Sequence, residues 1–506
     1  MIKNVLQYLE QSARRRPGQL AVTDAEQQLT YGEYLHLAQA VGSALLALHA
    51  HNAPVAVYLD KRADSLAAFM GVAYSGNFYV VVDAQMPVDR INLILENLSP
   101  AAVLTDRQHL EAARSFRFQG PLLLMEDAIQ HPVDGEGLEL VRRQAIDTDP
   151  LYALFTSGST GVPKGTVVCH RSVIAYAQWV CETFGIDETT QFGSQTPFYF
   201  SMSVLDVFSA LCAGATLHIL PKKLFSFPVR LLEYMNQRGV NTIYWVPSAL
   251  CIIANCKALD YVPLPRLKKV LFAGEVMPTK QLNYWISRMP DRTYANLFGP
   301  TEITDICTYY VVDRTFADDE PLPIGKPCNN CGVLVLTADG RAAAPGEEGE
   351  LCVRGSFLAM GYYNNPEKTA QAFTQNPLNP HYPERIYRTG DLVRINERGE
   401  LLFVTRKDFQ IKHMGYRIEL GEIETAANAL EGMKACACLY DEGTDQLVLV
   451  YQGHHLEAAG VLQGMQAKVP RYMVPNRLVR VKQMPYNQNG KIDRSWLKRN
   501  YRTLEA

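Results

Sequence analysis

Short, apolar, β-branched runs alternate with amphipathic stretches through most of the chain. Val55–Leu59 and Tyr79–Val82 have the length and composition of buried strands, and Ser65–Tyr74 between them has helical spacing. Leu151–Phe155 reads as a further strand. At the N-terminus Val5, Leu6 and Leu9 share one helical face, and Arg14–Arg16 reads as its solvated end. Strand–helix alternation predicts an α/β fold whose largely parallel sheet is covered on both faces. From about Gly325 to Val404 the pattern shifts to short strands separated by turn signals (ADGR, PGEEGE, NERGE), which predicts a β-rich subdomain. Around Arg406–Gln410 the text turns charged, and the rest of the chain reads as a small α+β unit. Glu419–Leu430 is its predicted helix, with Leu420, Ile423, Ala427 and Leu430 on one face, and Leu447–Tyr451 a predicted strand. The expected organisation is a large N-terminal domain, 1–407, and a small C-terminal domain, 408–506.

Composition narrows this picture without redirecting it. With 506 residues, 47% hydrophobic and 20% charged, the chain has the make-up of an ordinary soluble protein of about three domains. A net charge of -3 lacks the basic excess that neutralises a phosphate backbone, so no nucleic-acid partner is expected. The first residues lack the apolar core of a signal peptide and no run of 18 apolar residues occurs, so the expectation is a cytoplasmic protein without a membrane partner. Cys212, Cys251, Cys436 and Cys438 sit in apolar text and read as packed thiols. Cys328 and Cys331 form an isolated CxxC, which without a second pair or nearby histidines is a weak metal signal.

The strongest chemical signal is the segment Thr156–Gly165, TSGSTGVPKG. Gly158 and Gly161 let backbone approach an anion, while Thr156, Ser157, Ser159 and Thr160 offer hydroxyls. Lys164 adds a point charge. The spacing differs from GxxxxGK[ST]. Placed between the strand Leu151–Phe155 and a following helix, the segment reads as a phosphate-binding loop.

Further motifs come in order along the chain, and with them it resembles the superfamily of acyl-CoA synthetases, luciferases and nonribosomal-peptide adenylation domains over nearly its whole length. They are His170 in VVCHRS, NLFGPTE (Asn296–Glu302), YRTGDLVR (Tyr387–Arg394), RKDFQIKHMGYRIELGEIE (Arg406–Glu424) and NQNGKIDR (Asn487–Arg494). The resemblance implies that Phe298 stacks on adenine beside Asn296, Leu297 and Gly299, and that Asp391 and Arg406 hold the ribose. Glu302 would bind Mg²⁺, a hard cation suited to carboxylate and phosphate oxygens. Lys491, Thr301, Glu302 and His170 are the implied catalytic residues, with Lys491 bridging the substrate carboxylate and α-phosphate. The implied reaction uses ATP to make an acyl-adenylate, which a thiol then attacks. Asp408 occupies the hinge position about which such enzymes rotate a mobile C-terminal domain, and Gly415 then faces the active site. Thr405 stands where the hinge motif normally has glycine.

The closest likeness is to amino-acid adenylation domains and D-alanine:carrier-protein ligases, which implies a small amino acid and a separate phosphopantetheinylated carrier protein as partners. The pocket positions are Ser201, Met202, Tyr244, Leu271, Ala273, Leu297, Asp305 and Ile306, and they resemble free-standing L-prolyl-carrier-protein ligases. Two depart: Ser201 replaces the aspartate that binds an α-ammonium, and Asp305 replaces an aliphatic residue. A buried ammonium without a counter-charge costs several kcal/mol, roughly, so Asp305 is the expected replacement partner, serving a proline-like substrate or one with a displaced amine. The alternatives are an aryl- or acyl-acid ligase using a carrier or coenzyme A, and a nucleotide-binding relative without catalysis. The latter should lack Lys491, Glu302 or Asp391, and all three are present.

Overall fold

A computed structural model describes residues 2–156, 163–407, 410–454, 456–486 and 492–504. The predicted alternation resolves into two large sheets that share one core. Seven described strands form the first, in the order 361–362, 164–169, 150–156, 78–81, 54–58, 102–105, 122–124. Nine form the second, in the order 326–327, 308–311, 293–298, 269–272, 242–245, 191–194, 216–219, 20–23, 28–30. The interior pairings of both are parallel, and antiparallel pairs occur toward the edges. Every residue of the strand Pro54–Tyr58 is buried, which is why its text is an unbroken apolar run rather than an alternating one. The helix expected at Ser65–Tyr74 spans Ala63–Tyr74.

The Gly-rich segment departs from expectation: it does not lead from a strand into a helix. It joins Pro150–Thr156 to an antiparallel strand, Lys164–Cys169, and the helix begins only at His170. Thr166–Cys169 continues the β-branched apolar texture, and all four residues are buried between neighbouring strands. Lys164 is therefore a strand residue, opposite Thr156 in register.

The β-rich subdomain is a five-stranded antiparallel sheet built from 331–336, 348–355, 373–375, 385–395 and 401–406. Beyond it lies the smaller C-terminal part. It opens with a hairpin, Gln410–His413 against Tyr416–Glu419, and continues with the helix Leu420–Asn428. The strands 433–441, 446–453 and 477–480 complete it. Ile418, Ile423, Leu449 and Met465 give this part its own apolar cluster, apart from the main core. Among the described residues no helix is long and apolar enough to cross a membrane.

Candidate active site

Glu302 lies in a single 3₁₀ turn that follows the strand Thr293–Phe298, and its side chain is fully buried. Its Oε1 accepts from the Tyr362 hydroxyl at 2.7 Å and faces Lys164 Nζ at 3.2 Å. Its Oε2 accepts from Arg417 Nη1 at 2.6 Å. Burial alone raises a carboxyl pKa, but Arg417, then Lys164, outweigh it and hold Glu302 well below the usual range. Lys164 lies over the Tyr362 ring, 4.7 Å from its centroid, and burial pulls its pKa down. The Thr156 hydroxyl, opposite Lys164, is buried and has no partner among the described residues.

The positions expected to hold the nucleotide come from different strands. Asp391 is buried, and Arg406, its register partner on the adjacent strand, forms an ion pair with it. Phe298 packs near Phe403, with ring centroids 5.9 Å apart. Asn296 donates its side-chain amide to the Pro323 carbonyl at 2.9 Å. Leu297 is buried in the core. A Cβ at Gly299 would fall 2.3 Å from the Asp305 carbonyl oxygen, so only glycine lets the turn pass there. Lys412 of the C-terminal hairpin reaches over Phe298, 4.9 Å from the ring centroid.

Deeper lies a second buried acid. Asp305 is buried, and its Oδ2 accepts from the hydroxyls of Tyr176 at 2.7 Å and Tyr244 at 3.0 Å. Burial pushes its carboxyl up to about 6, while the hydroxyls of Tyr176, Tyr244 and Ser201 pull the other way. The Ser201 hydroxyl in turn accepts from Thr301 Oγ1 at 3.4 Å. Met202, Leu271, Ala273 and Ile306, the other pocket positions expected from sequence, are buried in the main core. Between Glu302 and Asp305, Thr304 takes φ 72° and ψ -58°. A β-branched residue there stores about 1–3 kcal/mol of strain, and its hydroxyl bond to the Phe357 carbonyl at 2.8 Å offsets part of it. The kink separates two acids only three residues apart in sequence into two sites.

The AMP-binding enzyme family matches residues 9–363. The chain belongs to that family. It is 30% identical to the D-alanine–D-alanyl carrier protein ligase of Bacillus anthracis, over 97% of this chain and 98% of that one. It is 34% identical to a mycosubtilin synthase protein of Bacillus subtilis over 97% of its own length, yet spans only 19% of that much longer protein. Among solved structures, the Vibrio cholerae adenylation domain AlmE in complex with glycyl-adenosine-5′-phosphate superposes with a TM-score of 0.84. That match covers 99% of this chain and 98% of AlmE at 22% identity, and it speaks for the fold. The chain is an adenylate-forming ligase of this AMP-binding family.

Not every sequence-derived residue of this AMP-binding enzyme meets at the site. His170 is a correction. It starts the helix at the far end of the strand that carries Lys164, about 20 Å away at 3.3 Å per residue. Its ring is buried against Asn4 and the Val5 amide, and burial lowers its pKa to about 3, so it packs the N-terminal segment as a neutral ring. Ser157, Gly158, Ser159, Thr160, Gly161, Asp408 and Lys491 lie outside the described residues. Three contributors carried no separate signal: Tyr176 beyond the motif that opens its helix, Tyr362 on a two-residue strand, and Arg417 inside the Arg406–Glu424 motif, where no role was assigned to it.

Proposed function

We propose that this AMP-binding enzyme uses ATP to activate an amino acid whose amine is displaced from the ordinary α-ammonium position, and passes it to a pantetheine thiol on a separate carrier protein. The observation that carries the substrate reading is Asp305: a buried carboxylate with tyrosine hydroxyls on one oxygen and Ser201 beside it. Serine at 201 cannot neutralise an ammonium, whereas Asp305 can, and a neutral aryl or acyl acid would leave that carboxylate buried without a cation. Proline-like and β- or ring-amino acids fit this arrangement. The N-terminal residues act together: Lys164, Thr156 and the Gly-rich segment take the polyphosphate, Phe298 and Asn296 the adenine, Asp391 and Arg406 the ribose. Lys491 meets the reacting carboxylate, and a C-terminal domain beginning near Asp408 moves between the two half-reactions.

Mg²⁺ fits Glu302 by donor chemistry. Among the described residues no cluster of three or more acids, histidines or cysteines exists, so a hard cation here draws most of its oxygens from polyphosphate and water. When bound, it polarises the phosphates.

A cavity of about 660 Å³ reaches the hairpin tip at Gly415 and Tyr416 and is walled by Phe198, Phe200 and Val246. Its apolar walls, interrupted by Gln195, Thr196 and Ser248, suit a slender amide-bearing arm. Asp24, Glu26, Asp60 and Asp83 border it, while of its three basic residues Lys61 is engaged by Ser194, Arg62 by Asp64 and Lys222 by Gln85. That balance speaks for a pantetheine on a protein over coenzyme A with its extra phosphates. The test is ATP–pyrophosphate exchange across α-amino, β-amino, cyclic amino and aryl acids, for the parent and Asp305→Asn. Full activity of Asp305→Asn on the best amine substrate defeats the substrate reading, and no exchange with any acid defeats the activation reading.

A further inference from the structure

Of the eleven cysteines seven are buried, and the CxxC pair Cys328 and Cys331 is among them. Cys181 and Cys212 are only half-buried, and they come from two helices packed side by side, His170–Phe184 and Ser203–Ala213. Cys181 Sγ lies 3.7 Å from the Ser209 carbonyl oxygen. Ser209 and Cys212 are three positions apart and so share one face of their helix, the face turned toward Cys181. The two thiols meet there. A third element covers this end of the pair. The Ser12 hydroxyl donates to the Leu211 carbonyl at 3.3 Å, and Tyr8 of the same N-terminal helix brings a buried hydroxyl to Cys212.

The contact makes the two thiols unequal. A proton shared from Cys181 is the largest influence on Cys212 and lowers its pKa against the effect of burial, and the Tyr8 hydroxyl pulls the same way. The same sharing, then burial, raises Cys181. One sulfur is thereby the better nucleophile, and the other, already touching it, is placed to resolve the adduct. We propose that Cys181 and Cys212 are a modification site, oxidised by low-molecular-weight disulfides to a disulfide that joins the two helices. Cys212 releases its proton to water and attacks one sulfur of the small disulfide as a thiolate. That S–S bond breaks, and one small thiolate leaves with the electron pair. Cys181 then gives its proton to water, attacks the Cys212 sulfur and expels the second small thiolate. Two protein thiols are oxidised while one small disulfide is reduced to two thiols, and an added dithiol reverses the exchange. The bond fastens the helix that carries Tyr176 to the helix that follows Ser201, and so ties together two supports of Asp305.

The full chain, held in oxidised glutathione, digested without reductant and read by mass spectrometry, tests this. A cross-link from Cys181 to Cys212 is expected, and dithiothreitol removes it. Cys181→Ser is expected to stop at a glutathione adduct on Cys212. Cys212→Ser should carry about tenfold less glutathione on Cys181 than Cys181→Ser carries on Cys212. The exposed Cys256 reports that the oxidant is active. Modified Cys256 without a Cys181–Cys212 cross-link in the parent overturns the proposal, and so do equal adducts on the two single variants. The cross-link is read in the parent, so a variant that fails to fold does not shelter the proposal, and thermal melting shows which variants fold. None of these outcomes depends on the adenylation reading.

Discussion

Replacing Asp305 by asparagine should make the protein more stable and less active at once. The carboxyl is pushed from 3.8 to about 6 by burial. Each pH unit of such displacement corresponds to about 1.4 kcal/mol, so ionised Asp305 costs the folded state about 3 kcal/mol at neutral pH. The sign follows from proton binding. Between pH 4 and 6, roughly, the folded chain holds a proton that the unfolded chain has released, so stability falls as pH rises through that window and levels off above it. Asparagine keeps the shape and can still accept from Tyr176 and Tyr244, but it carries no charge to desolvate. Chemical denaturation of the N-terminal transition should therefore give Asp305→Asn an advantage of about 3 kcal/mol near pH 7.5, shrinking to about half that near pH 5. On the amine substrate, loss of a buried charge partner worth about 3–5 kcal/mol lowers kcat/KM by about 10² to 10³·⁵. In the parent, kcat/KM falls below about pH 6 as Asp305 takes up its proton, and the variant lacks that limb. A variant less stable than the parent at pH 7.5, or one active as the parent on the amine, would refute the reasoning.

Three further outcomes rest on the same geometry. Gly415→Leu places a side chain where a Cβ already meets Val246 at 2.6 Å and φ is 82°, so carrier loading read by mass spectrometry should fall about 100-fold while pyrophosphate exchange persists. Arg90→Ala leaves Glu422 a buried charge without its cation, destabilising the seated hairpin by about 3–5 kcal/mol, and single-turnover transfer should slow while adenylate formation does not. Asp391→Asn removes the Arg406 counter-charge and the acceptor for a cis-diol, so KM for ATP should rise at least tenfold, roughly, in initial-rate measurements.

Much of this site was legible because its residues lie in short motifs whose chemistry is local. Glu302 and Asn296 stand in one short stretch at a strand end, and Asp391 faces Arg406 across one pair of strands. The buried strands were legible for a related reason: Pro54–Tyr58 and Phe78–Val81 are apolar without interruption because both faces are covered. Distance in sequence is what hid the rest. Arg417 meets Glu302 across 115 positions, and Tyr176 meets Asp305 across 129, with no pattern in either segment to announce the partner. His170 failed in the opposite way. It comes soon after the phosphate segment in sequence, but six residues of extended strand carry it to the other end of the sheet. That strand gives little signal of its own, because four buried residues, Thr166–Cys169, are too few to show a period.

The two-residue strand Gly361–Tyr362 has a consequence for how the chain can be divided. It closes the outer side of Lys164–Cys169 by antiparallel pairing at Val167 and Thr166, yet it arises from the β-rich region nearly two hundred positions later in the chain. A fragment ending near residue 325 would keep every residue of the parallel core and lose this cover. Its Lys164 strand would then present free N–H and C=O groups along an apolar edge, the geometry that invites pairing with another copy. Such fragments should precipitate rather than fold quietly, and the boundary of the cooperative N-terminal unit belongs beyond Tyr362.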